Sequence, residues 1–421
     1  PFKVLAVLLF IIAGVYGLHN GALLYKKQTS EIEKINLKSE EQKAEIITYF
    51  ENGEKGPKNR PWINVTTPFW AIWNTPVYAY KKPSSAIVYS IGQAEQFGFY
   101  KQITFWASTY DTDMSNEISN PERLQIGTLD FSFVILFLLP LVLLILVYNL
   151  KASENEQGFL PLIELQTTEK NKWLFARFSF YTLLLLLIGI LLICYGASLT
   201  NIISNDANAF KQIILLSFLY LLFWSILFFF ISKQGKTIIN NSLKMIGIWL
   251  VFCFIIPGTI HQYISIVNPA NLMTSYIDSK REDRSALFNL PNDSLKAKLF
   301  DLYPEIVDSN LAKDSTKIVF AINQSSASLA NDLVKKAIKP IELENQVKNT
   351  LLRNTFWFNP VIFFQNKFNR ISQTQYDDYQ KYREIIQSKI DKNIKTLVID
   401  VWNNQQVDKK RYLEYYEILN K

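Results

Sequence analysis

The sequence predicts an α-helical polytopic membrane protein that carries two large polar domains outside the bilayer, the first α+β and the second mostly helical. Three observations predict it. Two uncharged apolar runs, Phe131–Tyr148 and Phe178–Ile203, flank a short polar interval, and a run of about 18 apolar residues suffices to cross roughly 30 Å of hydrocarbon. The 421 residues are 49 % hydrophobic and 14 % aromatic, high for a soluble chain and low for one embedded throughout. Long polar stretches flank the apolar half with nearly balanced charge: twelve Lys and Arg against twelve Asp and Glu over residues 25–127, and 23 against 19 over residues 267–421.

Residues 1–25 read as span 1. The run Val4–Leu18 follows Lys3, and no small-x-small cleavage site succeeds it, which favours a span over a signal-peptide core. The chain begins at Pro1 without methionine, so a cytoplasmic piece is expected before it. Residues 26–127 read as the first extracytoplasmic domain. Within it, Glu31–Phe50 has the apolar spacing of a helix among Glu and Lys. The aromatics Trp62, Phe69, Trp70, Trp73, Tyr78 and Tyr80 read as a small core or a belt at the membrane surface rather than a ligand platform. Ser84–Thr109, rich in β-branched and aromatic residues around Gly92 and Gly98, is expected to supply strands.

Residues 128–150 form span 2, with Pro140 inside it; such a kink is tolerated where neighbouring helices re-satisfy the freed carbonyl. Residues 151–172 are a loop, and residues 173–266 hold spans 3 to 5. Lys151, Lys170, Lys172 and Arg177 around that loop, and Lys233, Lys236 and Lys244 between spans 4 and 5, mark one face as cytoplasmic. Residues 267–421 follow as the second extracytoplasmic domain, with helical patterns at Ser325–Asn354 and Thr374–Val401. Between them, the aromatics of Asn354–Asn369 read as a membrane-surface or core-packing element.

The loop is the most specific stretch. Glu154 and Glu156 offer charge-assisted hydrogen bonds, Gly158 permits a turn, and Phe159, Leu160, Leu162 and Ile163 form an amphipathic piece able to fill a groove. Other chemistry is missing. There is no phosphate-cradling G-x-x-x-x-G-K-[ST], so ATP hydrolysis is not expected from this chain alone. Cys194 and Cys253 read as buried hydrophobes, and His19 and His261 as interfacial side chains, so neither a metal nor another cofactor is expected. The charge distribution lacks a basic stripe and argues against nucleic acid. No span carries a charge near its centre, which disfavours ion-driven transport.

Thr67–Thr104, Asn120–Leu141, the S-E-x-E-x-G-x-L-x-L loop at Ser153–Leu162, and Phe358–Ser372 together resemble the ABC-2-type transporter permeases that carry a large extracytoplasmic insertion between the first two spans. The resemblance implies six spans, a dimer with a second copy or paralogue, a bacterial cytoplasmic membrane, and a separate cytoplasmic ABC ATPase seated against the loop. The sequence departs from the family in ending without a sixth span, which is expected beyond Lys421, and in having Pro161 and Ile163 where related loops often have leucines. The implied function is the transmembrane permease subunit of an ATP-driven exporter. The alternative is a mechanotransmission or scaffolding protein that relays ATPase strokes to its extracytoplasmic domains without moving solute.

Overall fold

The computed structural model describes residues 1–106, 129–166, 172–267, 282, 285–314 and 316–420. Asn120–Thr128, at the entry to span 2, and Glu169 and Lys170 of the central loop lie outside the described residues. The chain is mostly helical, at 77 %, and among the described residues five helices are long and apolar enough to cross a membrane.

The first helix, α1, runs unbroken from Phe2 to Glu51. Span 1 and the helix expected at Glu31–Phe50 are therefore one rod, about 75 Å long at 1.5 Å per residue. Nothing in the sequence ends it: residues 19–31 contain no proline, and Lys, Gln and Glu there are good helix formers. Gly17 and Gly21 share one face of α1. A Cβ on Gly17 would lie 2.8 Å from the Asp130 carbonyl carbon, and one on Gly21 would lie 2.6 Å from the Val88 carbonyl oxygen. Small residues four apart thus seat two other backbones against the rod.

After α1 come the short helix α2 (Pro68–Trp73), strand β1 (Tyr78–Tyr80) and strand β2 (Tyr100–Gln102). The strands pair antiparallel, with Ala79 opposite Lys101. The expected strand content of Ser84–Thr109 shrinks to β2 among the described residues. Ser85–Val88 is instead a 3-10 turn, its Ala86 amide capped by the Ser84 hydroxyl. The residue that follows this turn serves the spans: Tyr89 Oη donates to the Ile193 carbonyl of span 3 at 2.7 Å. The aromatic cluster packs on itself, Phe69 5.2 Å from Phe105 and Trp73 stacked 3.7 Å from Trp106.

Span 2 is built of Phe131–Phe133, a π turn at Val134–Leu138, and Leu139–Val147. Pro140 explains the π turn, because it has no N–H to offer the Leu136 carbonyl. That carbonyl accepts instead from Tyr220 Oη of span 4 at 2.6 Å, and the neighbouring Phe137 carbonyl accepts from Trp249 Nε1 of span 5 at 3.2 Å. The expectation that neighbouring helices re-satisfy the freed carbonyl thus takes a specific form. The loop that follows forms α3 (Ala152–Glu156) and α4 (Leu160–Gln166). Span 3 is Lys172–Thr200, span 4 is Ala207–Gln234, and span 5 runs Ile238–Val267 with a second π turn, Val251–Ile255, just before Pro257.

The rest is helical: α5 (Asn292–Leu302), α6 (Ile318–Asn354), α7 (Pro360–Ile371), α8 (Tyr376–Trp402) and α9 (Lys409–Asn420). Ile46, Val65, Ile72 and Ile103 from before span 2 share one apolar core with Leu299, Ile322, Ile390 and Trp402 from after span 5. The two polar segments, expected as separate domains, thus pack together here. The Val407 amide also donates to the Thr66 carbonyl across them at 2.9 Å. A buried Asp400 takes Arg411 at 2.8 Å and Tyr415. Burial, reinforced by the hydrogen bond to Asp400, pushes the Tyr415 hydroxyl well above the ordinary tyrosine range.

The spans form a second core, and α7 belongs to it. Val361, Phe364 and Phe368 are buried among span residues, and the Phe364 ring lies 4.9 Å from that of Tyr220.

Candidate coupling site

At the end of the bundle away from the polar domain, α3 follows span 2 directly. Its last turn closes on Gly158, whose φ of +76° favours glycine. The Gly158 amide donates to the Asn155 carbonyl at 3.1 Å and the Phe159 amide to the Glu154 carbonyl at 2.9 Å. This is the paired C-terminal bonding of a Schellman motif. It reverses the chain into α4, the turn expected of Gly158.

The two carboxylates each have a partner within the chain. Glu154 Oε1 accepts from Arg177 Nη1 of span 3 at 2.7 Å, and Glu156 Oε1 accepts from the Ile238 amide, the first residue of span 5, at 2.8 Å. One oxygen of each is therefore engaged within the chain. Glu156 satisfies a donor that a helix start leaves unpaired and places negative charge at the positive end of the span 5 dipole. Asn155 Nδ2 donates to the Lys236 carbonyl at 2.8 Å, and Lys151 Nζ donates to the Lys233 carbonyl at 2.7 Å. Four polar contacts thus brace α3 and the residue before it against span 3, the end of span 4, the span 4–5 connection and the start of span 5. Arg177 is half exposed and Glu154 19 % exposed, so the pair is worth only about 0.5 kcal/mol and the value of the set lies in fixing geometry.

The apolar half of the loop is left facing outward. Phe159 is 51 %, Leu162 57 % and Leu165 84 % exposed, while Leu160 and Ile163 are half-buried. Spaced by three, the exposed trio forms a ridge along α4. The N-terminal end of α1 reaches the same end of the bundle: Lys3 Nζ donates to the Leu146 carbonyl at 2.7 Å and to Asn149 Oδ1 at 3.0 Å. The expected residues are therefore brought together, but in two groups, a polar brace turned inward and an apolar ridge turned outward.

Sequence reading missed Asn155 and Lys151 as brace members and the Ile238 amide as the receiver of Glu156. A side chain bonding a distant backbone leaves no residue-type signature. Leu165 was detectable from its spacing with Leu162. Among the described residues no three His, Cys, Asp or Glu side chains converge as a metal site would require. No family model, curated protein or solved structure matches the chain.

Proposed function

We propose that this chain is the transmembrane permease subunit of an ABC-2-type exporter, moving a substrate across a bacterial cytoplasmic membrane with ATP hydrolysed by a separate subunit. The observation that carries the reading is the loop: an exposed apolar ridge, Phe159, Leu162 and Leu165, mounted on a helix pair braced to spans 3 and 5. A partner pressing on that ridge would displace several spans at once, which is what coupling requires of a contact that differs between two states. On this reading the loop faces the cytoplasm, the polar domain lies outside, and two copies, or one copy and a paralogue, make the transporter.

A second reading, force transmission to the outer domain without solute passage, draws support from α1. One uninterrupted helix runs from Lys3, beside the loop, to Ile46 in the core of the polar domain. A photo-crosslinking amino acid at Leu162 tests what the two readings share. The adduct formed in native membranes is expected to contain a protein that hydrolyses ATP once isolated. Adducts only with lipid, or with a protein devoid of nucleotide binding, would overturn both readings.

A further inference from the structure

We propose that the groove between α6 and α8 is a binding site for a small soluble molecule carrying at least two negative charges. The site lies wholly within the polar body and is independent of the proposed function.

Two antiparallel helices pinned at intervals make the groove. Trp402 Nε1 of α8 donates to Ser325 Oγ of α6 at 2.9 Å. Further along, Asp391 takes Lys335 Nζ at 2.8 Å and Asn331 Nδ2 at 2.9 Å. Toward the far end, Asp377 takes Asn349 Nδ2 at 2.6 Å and Arg353. From Lys335 to Glu342 on one wall and from Arg383 to Lys395 on the other, the helices leave a cavity of about 730 Å³, with the buried Ile338 in its lining.

Charge selects the ligand. Lys335, Lys336 and Lys339 of α6 and Arg383, Lys392 and Lys395 of α8 line the cavity, against the carboxylates of Glu342, Glu384 and Asp391. Asp391 is neutralised by Lys335. Lys336 and Lys395 reach outside the lining, to Asp332 and Glu305 at 2.7 Å each, and surface pairs of this kind hold their lysines weakly. Among the described residues Lys339 and Lys392 have no ion-pair partner, and they stand on opposite walls. Lys336 and Lys339, and Lys392 and Lys395, are like charges one helical turn apart, which repel. A bound anion relieves that repulsion, and a concave surface with a surplus of one sign concentrates its field on such an ion.

The spacing of the lysines sets the valence. The pairing of Lys335 with Asp391 and of Asn349 with Asp377 puts Lys339 level with Gln387. Lys392 therefore lies about 8 Å further along the groove, at 1.5 Å per residue. An ion with one charge meets one of these ammonium groups, whereas a molecule with two anionic groups engages both. Lysine is a flexible point charge with three donors, suited to phosphate and to carboxylate oxygens alike.

The test is equilibrium dialysis of the whole chain in detergent against labelled pyrophosphate at low ionic strength, with citrate and acetate as competitors. Saturable binding of one pyrophosphate per chain is expected, half-maximal below about 1 mM. Lys339→Gln with Lys392→Gln should weaken it at least about tenfold, and Lys313→Gln with Lys317→Gln, before and at the start of α6, should leave it within about twofold. All four lysines are exposed, and matching thermal unfolding of the variants keeps loss of binding distinct from loss of fold. Ser388→Asp, which sets a carboxylate among the lysines, is a second variant with the same expected loss. Citrate that displaces pyrophosphate at lower concentration than pyrophosphate itself marks a polycarboxylate ligand, and the reverse order marks a phosphate ester. No saturable binding, equal weakening in the two lysine pairs, or displacement by acetate as effective as by citrate would each overturn the proposal.

Discussion

Tyr220 shows how much one side chain settles in the bundle. Its hydroxyl donates to the carbonyl that Pro140 frees, at the middle of span 4, so Tyr220→Phe leaves that buried acceptor only the weak Cys253 thiol contact at 3.9 Å. Interhelical hydrogen bonds in membranes average near 0.6 kcal/mol, and the loss here should be about 1 kcal/mol. It should vanish when Pro140→Ala restores a backbone donor, a non-additivity that thermal unfolding of the four variants in detergent would read. Additive losses would show that the Tyr220 bond does not answer to Pro140. Asp130 works similarly at the mouth of span 2, where Oδ1 caps the Phe133 amide at 2.8 Å and Oδ2 takes the Ile91 amide at 3.0 Å. Asp130→Asn keeps one acceptor but sets an amide NH2 against the other donor, and should cost roughly 1–2 kcal/mol. Asp130→Ala strands the Phe133 and Ile91 amides and removes the acceptor of the Ser132 hydroxyl, and should cost roughly 2–4 kcal/mol in the same assay. Pro140 was legible in the sequence as a kink, because proline chemistry is local. Tyr220 and Asp130 were not, because their partners lie 84 and 39 residues away.

The element whose behaviour matters most is the α3–α4 loop, and its two halves should separate under mutation. Glu154→Gln with Glu156→Gln removes both charges and weakens the brace, while Leu162→Glu with Leu165→Glu alters the ridge and touches no brace contact. On the proposed permease function, the ridge variant is expected to lose association with its ATPase in a pull-down at least tenfold, about 1.4 kcal/mol. The brace variant should retain association within about threefold and lose coupled activity instead. Equal loss of association in both would refute the division. The turn at Gly158 could be read from residue type, since the Schellman turn depends on neighbours in sequence. The direction of the carboxylates could not, because exposed and intramolecular acids look alike in one dimension. Ser84–Thr109 failed for a related reason: its β-branched and aromatic residues fit a strand, but packing of Val88 and Tyr89 on spans 1 and 3 overrides that preference.

At the scale of the whole molecule, five apolar helices and a polar body were legible from hydropathy and length alone. Their joining was not, since the shared core brings Ile46 together with residues of α8 and α9, near the other end of the chain. Sidedness is checked by cysteines at Ser153 and Ser204 in a chain lacking Cys194 and Cys253. One impermeant reagent applied from outside should label Ser204→Cys and spare Ser153→Cys until the membrane is opened. Labelling of both would break the assignment of the loop to the cytoplasm. The unbroken α1 has one more consequence, which is angular. Each helical residue turns its successors by about 100° and advances them 1.5 Å. One alanine inserted between Lys27 and Gln28 would therefore leave Gly17 and Gly21 seated, yet swing Ser39 off the Pro76 carbonyl, Tyr416 off Glu40 and Lys409 off Glu51. The rod fixes the azimuth of the polar body over the bundle, and any rotation of span 1 is delivered to that body as the same rotation.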